Sequence, residues 1–244
     1  APATREPLQS MAGLIENVPA SRLFDEMLKL LTCGHAMDCL QQLRQDGLHH
    51  GMLPLLDVVL EQPGGEAFIE LALDRTDHRV RSGKTVSPSF LFAALLWHQV
   101  DLRWKQFVKK GEPSIPALMQ AADSVLDEQT EKLAIQKRFS SDMREIWFMQ
   151  PRFEKRLPKM IWRMLEQPRI RAAADFLQLR AAAGEFDSVL AQWWMDLVNA
   201  DDSTRAEMIE DLSKLPRETG DTAPRSRTRR RRRSPRVASG DHSN

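Results

Sequence analysis

The sequence predicts an all-α protein, a multi-helix array that ends in a disordered arginine-rich tail. Apolar residues recur at intervals of three and four along most of the 244 positions, which is the pattern of helices with one buried face. Prolines and glycines stand between these stretches, where helices begin and end. No stretch reads as a strand, and a hydrophobic content of 42% is typical of a chain that folds around a core.

The N-terminal part predicts two helices. Residues 1–17 form a short helix that enters a turn, and Pro19 opens a second helix that ends at Gly34. One face of the second helix carries an apolar stripe, formed by Leu23, Phe24, Met27, Leu28 and Leu31. Arg22 and Glu26 lie four residues apart on this helix, a spacing at which a salt bridge contributes roughly 0.2–0.5 kcal/mol to the helix.

The middle of the chain predicts a central helix between less apolar segments. Helical spacing continues through 36–61 and 68–73, and a polar loop follows as far as Pro88. The segment SFLFAALLWHQVDLRW, which starts at Ser89, is hydrophobic nearly all round, so we expect it to be the central helix of the core. Another helix covers 117–133.

Residues 135–180 combine cations with flat rings. Eleven lysines and arginines lie in this segment, and the rings between them are Phe139, Trp147, Phe148, Phe153, Trp162 and Phe176. Cations neutralise phosphates and rings stack on bases, so this composition fits a groove for single-stranded nucleic acid. An ordinary amphipathic helical layer with a solvated basic face gives the same pattern.

Prolines divide this segment into helices at Pro151, Pro158 and Pro168. The first helix is predicted to turn one face towards the core, formed by Phe139, Met143, Ile146, Trp147 and Gln150. Lys137 and Arg144 are seven residues apart and lie together on the other side.

The helix that follows Pro168 is predicted to carry an outward-facing strip. Its spacing places Phe176 and Arg180 each about 20° from Arg169 around a helix of 3.6 residues per turn. The helix ends at Gly184. The face expected to pack inward is formed by Ile170, Ala173, Ala174, Leu177 and Ala181. We therefore predict a narrow Arg-Phe-Arg strip in contact with solvent.

Two more helices are predicted before the tail. Apolar residues recur at helical spacing from Val189 to Val198. Thr204 and Glu207 form the pattern of a capping box, which marks the start of a final helix.

The C-terminal tail differs from the rest of the chain in charge and composition. After Pro216 it consists mainly of Arg, Ser, Thr and Pro, which cannot bury apolar surface, so we expect disorder. Residues 221–244 contain eight arginines and two aspartates, a charge of +6, whereas residues 1–220 carry −5 of the net +1. Five consecutive arginines favour contact with nucleic acid; attraction to acidic proteins and simple solubility are the alternatives.

No catalytic or metal-binding constellation is predicted in this chain. Cys33, His35 and Cys39 lack the spacing of a zinc site, and Asp74 and Asp77 lie in a polar loop without the strand and turn of a two-metal site. No glycine-rich phosphate loop or Gly-x-Ser-x-Gly elbow occurs. Two cysteines six residues apart indicate a reducing cytoplasm, and no run approaches the roughly 20 apolar residues of a membrane span.

Six stretches of the chain carry a recognisable pattern. In order they are VPASRLFDEMLKLLTCGHA, LPLLDVVLEQ, SPSFLFAALLW, LAIQKRF, MREIWFMQPRFEKR and MLEQPRIRAAADFLQLRAAAGE. Together they resemble the bacterial poly(A) polymerase I family of the class II nucleotidyltransferases, which also include the CCA-adding enzymes. The RLFDE block is shared with the CCA-adding enzymes, whereas the later blocks are more specific to the polymerases. Gln167, Ile170 and Ala174 replace the His, Phe and Tyr of the family pattern, which removes one stacking ring.

The resemblance implies an organisation in five parts. These are neck-type helices in 1–34, a helical body in 35–134, a basic-aromatic helical RNA-binding region in 135–200, a terminal helix in 201–215 and the disordered tail in 216–244. In the family, the catalytic carboxylates and the base-reading motif precede the RLFDE block, and none of them occurs here. We therefore expect no cofactor or metal in this chain, with ATP and Mg²⁺ bound by a separate catalytic head. Arg22 and Glu26 match the family's helix-stabilising motif.

The function implied is that of the non-catalytic, RNA-binding portion of a polymerase that adds AMP from ATP to RNA 3′ ends, in polyadenylation, RNA processing and decay. The parent protein would be a polynucleotide adenylyltransferase, and this chain alone should be inactive. The expected partners are RNA 3′ ends and poly(A) tails, with RNA-decay proteins at the basic tail and no membrane. The alternatives are the body of a CCA-adding tRNA nucleotidyltransferase and a helical protein-interaction module with a basic tail.

The resemblance also guides the choice of site residues. We expect phosphate contacts at Lys137, Arg138, Arg144, Arg152, Arg156, Arg169 and Arg180. The tail is expected to add contacts through Arg229, Arg230, Arg231, Arg232 and Arg233. Phe176 is the predicted stacking ring.

Overall fold

The computed structural model describes residues 11–46, 65–133 and 135–214, and these ranges contain ten α-helices and no strand. The prediction of an all-α protein is confirmed. The predictions for 1–10, for 47–61 and for the tail, including Arg229 to Arg233, lie outside the described residues. None of the helices described is both long enough and apolar enough to cross a bilayer.

A short 3-10 helix, Ala12–Asn17, precedes the α-helices. They are α1 (Ala20–Leu31), α2 (Ala36–Gln45), α3 (Gly65–Arg81), α4 (Pro88–Lys109), α5 (Ser114–Leu133), α6 (Lys137–Phe153), α7 (Pro158–Leu165), α8 (Ile170–Ala182), α9 (Ser188–Asn199) and α10 (Asp202–Lys214). Proline is the first residue of α4 and of α7, where its fixed φ suits the first helical turn. Gly34 and Gly184 follow α1 and α8 with φ of 86° and 78°, and only glycine enters this region without a steric cost.

The first hydrophobic core surrounds α4. The residues from Leu91 to Trp97 are buried on every side of this helix, as the sequence predicts. α3, α5 and α6 pack directly against it, and α1 closes the core by stacking Phe24 on Phe92 at 5.3 Å between ring centroids. The indole N–H of Trp147 on α6 donates to the carbonyl of Ala93, 3.0 Å away, which satisfies the one polar atom of a buried tryptophan.

A second core lies beyond the first, where the end of α6 meets α7, α8, α9 and α10. Phe153 and Trp194 are at its centre, with their rings edge to face at 4.9 Å. The Trp194 indole donates to the Phe153 carbonyl at 2.9 Å. α6 and α8 contribute side chains to both cores, so these two helices hold the two halves of the molecule together.

The polar passage after Leu73 is helical, and the prediction of a loop there is wrong. α3 continues to Arg81 because two of its polar residues, Thr76 and Asp77, are buried with partners. Asp77 accepts the backbone N–H of Ala36 at 2.9 Å and that of Met37 at 3.5 Å, so that it caps the first turn of α2 from another helix. Such a long-range cap leaves no local trace in the sequence.

Three local predictions in the C-terminal half need correction. Pro151 does not end a helix: α6 runs to Phe153, because a proline in the last turn removes only one of the final hydrogen bonds. The last predicted helix of the basic-aromatic segment starts at Ile170, two residues after Pro168. Asp201, rather than Thr204, caps α10, since its carboxylate accepts the Thr204 N–H at 2.9 Å.

The motif pair on α1 does not form the expected contact. Glu26 is in an ion pair with Lys29, three residues on, with 2.8 Å between Oε1 and Nζ. No ion pair joins Arg22 to Glu26 within the part of the chain described here, and both side chains are exposed. The fold holds this helix through Phe24, Met27 and Leu31, which are all buried.

Candidate nucleic-acid interface

The inward face predicted for α6 is confirmed. Phe139, Met143, Ile146, Trp147 and Gln150 are all buried. Lys137 and Arg138 lie exposed at the N-terminal end of the helix, where the Arg138 guanidinium rests over the Phe139 ring at 4.6 Å. Arg144 is half-buried and bound to Asp123 on α5, with 2.7 Å between Nε and Oδ1. Arg144 therefore joins two helices, which leaves it less available to a phosphate than Lys137 or Arg138.

The outward strip predicted on α8 is wrong. Phe176 is 0% exposed, and its ring touches those of Phe68, Phe90 and Trp97 edge-on, with centroids 5.9, 6.0 and 5.5 Å away. The reason is that α8 lies between the two cores and buries residues on two sides, whereas the prediction assumed one buried face. A base has no access to this ring.

Arg180 is also an interior residue, with a side chain that is only 12% exposed. Its guanidinium lies over the Trp97 ring at 4.8 Å, donates to Gln150 Oε1 at 3.3 Å and is paired with Glu185 at 3.7 Å. Burial lowers the pKa of Arg180, against the opposing effect of the Glu185 charge. Arg180 therefore lies at the junction of α4, α6 and α8, and from α8 it contacts Trp97 on α4 and Gln150 on α6.

Glu185 is the counter-charge at this junction. Its carboxylate accepts from the Trp97 indole at 3.2 Å and lies 2.6 Å from His98 Nε2. Burial raises the pKa of Glu185, but the hydrogen bond and charge of His98, together with Arg180, outweigh burial and keep that pKa below its ordinary value. A largely buried Arg–Glu pair with these partners, 12% and 25% exposed, is typical of a structural contact and not of a phosphate-binding surface.

Five exposed cations lie instead within one stretch of the chain, at the end of α6 and along α7. We call it the α6–α7 basic surface; it consists of Arg152, Lys155, Arg156, Lys159, Trp162 and Arg163. Ile161 and Met164 are buried in the second core. The opposite side of α7 therefore faces solvent, and it carries Lys159, Trp162 and Arg163.

Trp162 is the stacking candidate that sequence reasoning did not select. It is 42% exposed, so a large part of its indole is open to a ligand. Arg156 is held over another indole, that of Trp193, at 5.7 Å. The signal was present in the spacing, because Ile161 and Met164 define an inward face of α7 from which Trp162 points away. The choice of Phe176 followed from treating α8 as the exposed helix.

The cations of this surface carry no intramolecular counter-charge in the described ranges. No ion pair with a carboxylate is found there for Arg152, Lys155, Arg156, Lys159 or Arg163, in contrast to Arg144 and Arg169. Arg169 lies in the turn before α8, 44% exposed, and is bound to Asp142 at 2.7 Å. Five cations that form no ion pair in the described residues thus lie together in sequence on the α6–α7 basic surface.

A second cationic feature is a cleft of about 720 Å³ between α3 and the start of α8. Arg75 and Arg79 line it from α3, and Arg169 and Arg171 line it from the other side. Sequence reasoning selected Arg169 for nucleic-acid contact but missed the other three. Arg75 and Arg79 come from a helix almost 100 residues earlier, and only the packing of α3 on α8 brings them to this place.

The structure gives no metal site in the residues it describes, since no three His, Cys, Asp or Glu side chains converge there. Cys33, in the turn after α1, and Cys39, within α2, are free thiols with their sulfurs 3.9 Å apart. Burial raises the pKa of Cys39, with a contribution from Cys33, so this thiol resists ionisation.

An all-α array that presents a tryptophan among exposed cations defines a helical protein suited to a nucleic-acid strand. The chain belongs to the family described as the polymerase A arginine-rich C-terminus, whose model matches residues 110–236. A second family model, described as "Probable RNA and SrmB- binding site of polymerase A", matches residues 1–60. The predicted resemblance to the bacterial poly(A) polymerases is confirmed.

Three curated relatives share the name Poly(A) polymerase I. Poly(A) polymerase I of Salmonella typhi is 36% identical over 242 residues, which cover 96% of this chain and 51% of the relative. The corresponding protein of Escherichia coli O157:H7 is 34% identical with the same coverage, and that of Haemophilus influenzae is 34% identical over 87% of this chain and 48% of its own length. The chain thus spans about half the length of the curated relatives it matches.

Proposed function

We propose that this chain is the RNA-binding portion of a poly(A) polymerase, and that it holds single-stranded RNA on the α6–α7 basic surface. The observation that carries the proposal is the exposed Trp162 between Lys159 and Arg163 on the solvent side of α7. An indole presents a stacking face that any base fits, while ammonium and guanidinium groups neutralise the phosphates.

The charge balance of this surface supports the proposal. Between Arg152 and Glu166 the chain has five cations and two carboxylates, Glu154 and Glu166, so the segment is positive although residues 1–220 are negative overall. A local positive patch on an acidic body attracts a polyanion to one place and repels it elsewhere. Lys137 and Arg138 extend the exposed charge to the far end of α6.

In the whole protein, we propose that RNA held here is extended by AMP from ATP at its 3′ end, with ATP and Mg²⁺ bound outside this chain. Support comes from the names of the relatives and from the two family matches, which together cover most of the chain. The free thiols Cys33 and Cys39 support a reducing, cytoplasmic location. We further propose that the basic tail contacts RNA-decay proteins.

The test is the affinity of the 244-residue chain for a short oligoadenylate, measured by fluorescence anisotropy. Trp162→Ala is expected to weaken binding by about 1–3 kcal/mol, roughly 5- to 150-fold, because the stacking face for one base is removed. Lys159→Gln is expected to weaken binding for all sequences alike and to reduce the dependence of log K on log salt by roughly one unit.

Met119→Ala is the matched control, since Met119 is a large apolar side chain on α5 with a similar exposure of 46%. Its affinity for RNA should equal that of the unmodified chain. Equal affinities for Trp162→Ala and Met119→Ala would remove α7 from the RNA site. Complete absence of RNA binding at low salt would favour the protein-interaction module, and a preference for tRNA ends would favour the body of a CCA-adding enzyme.

A further inference from the structure

The cleft between α3 and α8 brings four arginines of the described residues together in one cavity. Its walls come from α3, from the loop before α4 and the first turn of α4, from residues 168–179 at and within α8, and from Met195 of α9. Four arginines and one carboxylate, Asp175, lie among the lining residues. We refer to it as the arginine cleft.

Most of this positive charge is not neutralised by the protein. Arg169 is bound to Asp142, and Arg79 donates to the carbonyl of Thr85 at 3.0 Å. Arg75 and Arg171 form no ion pair with any carboxylate in the described part of the chain. Within these ranges, three of the four arginines that line the cleft thus lack an ion-pair partner, and Arg75 and Arg171, which are exposed, form no ion pair there.

Asp175, the carboxylate that lines the cleft, does not serve as an ion-pair partner for these arginines. No arginine of the cleft lies within ion-pair distance of it among the described residues. Burial raises the pKa of Asp175, and it does so against the lowering effect of Arg171, Arg79 and Arg75. These guanidinium groups therefore lie near enough to act on the carboxylate through space but too far to bind it.

Positive groups that line one cavity repel each other, and no ion pair formed by Arg75 or Arg171 in the described residues offsets that repulsion. Such an arrangement is typical of a site for an anion that arrives from outside. Guanidinium groups match the geometry of phosphate, to which they donate two parallel hydrogen bonds. The charges of the arginine cleft indicate a phosphorylated ligand.

The remainder of the lining has the chemistry of a nucleotide site. Phe90 and Met195 provide an apolar wall, and Thr85, Ser87 and Gln178 provide hydroxyl and amide groups. The volume of about 720 Å³ falls within the range of small-ligand pockets, roughly 300–1,000 Å³. A cleft for phosphate alone needs neither this volume nor an aromatic wall.

We propose that the arginine cleft binds a nucleotide, with its phosphate at Arg75 and Arg171 and its base against Phe90 and Met195. The nucleotide is either free or one unit of a bound RNA strand, and the chemistry of recognition is the same in both cases. This site is separate from the α6–α7 basic surface, and its occupation does not require that surface to bind RNA.

Titration calorimetry of the 244-residue chain with AMP tests the proposal. Arg75→Gln and Arg171→Gln are each expected to raise the Kd for AMP by about tenfold or more, because each removes a charge-assisted hydrogen bond to the phosphate. Lys109→Gln is the matched control: it removes one exposed charge at the opposite end of α4 from Phe90. Adenosine should bind at least about tenfold more weakly than AMP.

Circular dichroism and thermal unfolding establish that each variant is folded. Failure of AMP to bind would overturn the proposal, and so would equal affinities of Arg75→Gln and Lys109→Gln, which would indicate non-specific attraction. Inorganic phosphate that binds as tightly as AMP would overturn the contact with the base.

Competition with oligoadenylate identifies the source of the nucleotide. If oligoadenylate displaces AMP and Arg75→Gln weakens both, the nucleotide is a unit of the RNA strand; if both bind together, it is a free nucleotide. Trp162→Ala should weaken oligoadenylate binding at the α6–α7 basic surface and leave the affinity for free AMP unchanged. This variant separates failure of the nucleotide site from failure of the proposed RNA surface.

Discussion

The side chain of Phe176 fills the space between three other rings. Because Phe68, Phe90 and Trp97 meet at this ring, its contacts join α3, α4 and α8 in one aromatic cluster. A rotation of α8 about its axis would pull Phe176 out of this cluster, so the ring fixes how α8 is oriented as it passes between the two cores.

Phe176→Ala is expected to lower the free energy of unfolding by about 3–5 kcal/mol, the usual cost of a cavity left by a fully buried ring. Urea unfolding followed by circular dichroism measures this change. Val189→Ala is the control, because Val189 is 77% exposed and should leave stability unchanged. A folded Phe176→Ala chain that keeps its stability but binds RNA more weakly would mean that this ring binds a base after all.

At the scale of the helices, a carboxylate on one helix caps the N-terminus of another helix. Asp77 is 4% exposed and supplies acceptors to the first two N–H groups of α2, those of Ala36 and Met37. Helix N-termini leave such N–H groups unsatisfied within their own helix, and a buried N–H without a partner is costly. The contact therefore couples the position of α2 to that of α3.

Asp77→Ala is expected to destabilise the chain by roughly 1.5–3 kcal/mol, the cost of removing hydrogen bonds to a charged group. The midpoint of urea unfolding measures the effect. Asp74→Ala removes a carboxylate one turn earlier on the same helix, where the side chain is exposed, and should change the midpoint little. Equal destabilisation by both variants would contradict the cap and point to a general effect of negative charge on α3.

The cap of α10 gives a prediction about pH. Hydrogen bonds from Ser203 and Thr204 lower the pKa of Asp201 from 3.8 to about 2. Because the pKa is lower in the folded state, the carboxylate contributes stability above the unfolded value of 3.8, and this contribution is lost as the pH falls towards about 2. The difference in urea midpoint between the unmodified chain and Asp201→Ala should thus be full at neutral pH and shrink through this window. A constant difference across the whole window would contradict a role for the charge.

The positions of several helices, and the buried face of a helix that packs on one side only, can be predicted from the sequence. Pro88 and Pro158 mark helix starts, Gly34 and Gly184 mark ends, and the inward face of α6 follows from its spacing. The orientation of α8 was not within reach, because periodicity reveals one buried face and gives no sign of a second core on the other side. The positions of the charges in the sequence do not distinguish interior from exposed cations either. Arg180 is an interior residue and the cations of α7 are exposed, yet both lie among apolar residues in the sequence.

At the scale of the whole molecule, contacts between distant segments decide where free charge gathers. Asp142 and Asp123 neutralise Arg169 and Arg144, and Glu185 neutralises Arg180, so three of the seven cations predicted to contact phosphate in 135–180 form ion pairs within the described residues. The arginine cleft depends on α3 packing against α8, and no local pattern indicates that contact. The α6–α7 basic surface, in contrast, comes from one continuous segment and retains the charge that its sequence shows.

RNA binding is expected to be divided between the folded part and the tail, eight of whose arginines lie in residues 221–244. Removing 221–244 is expected to weaken RNA binding at low salt and to reduce the slope of log K against log salt, by roughly 0.7 for each phosphate that the tail neutralises on a single strand. Anisotropy titrations with oligoadenylate over a series of salt concentrations give both values. Trp162→Ala serves as the contrasting variant, because removal of a stacking ring lowers affinity without changing the slope. An unchanged slope after removal of 221–244 would exclude the tail from the RNA site and would favour acidic protein partners for its arginines.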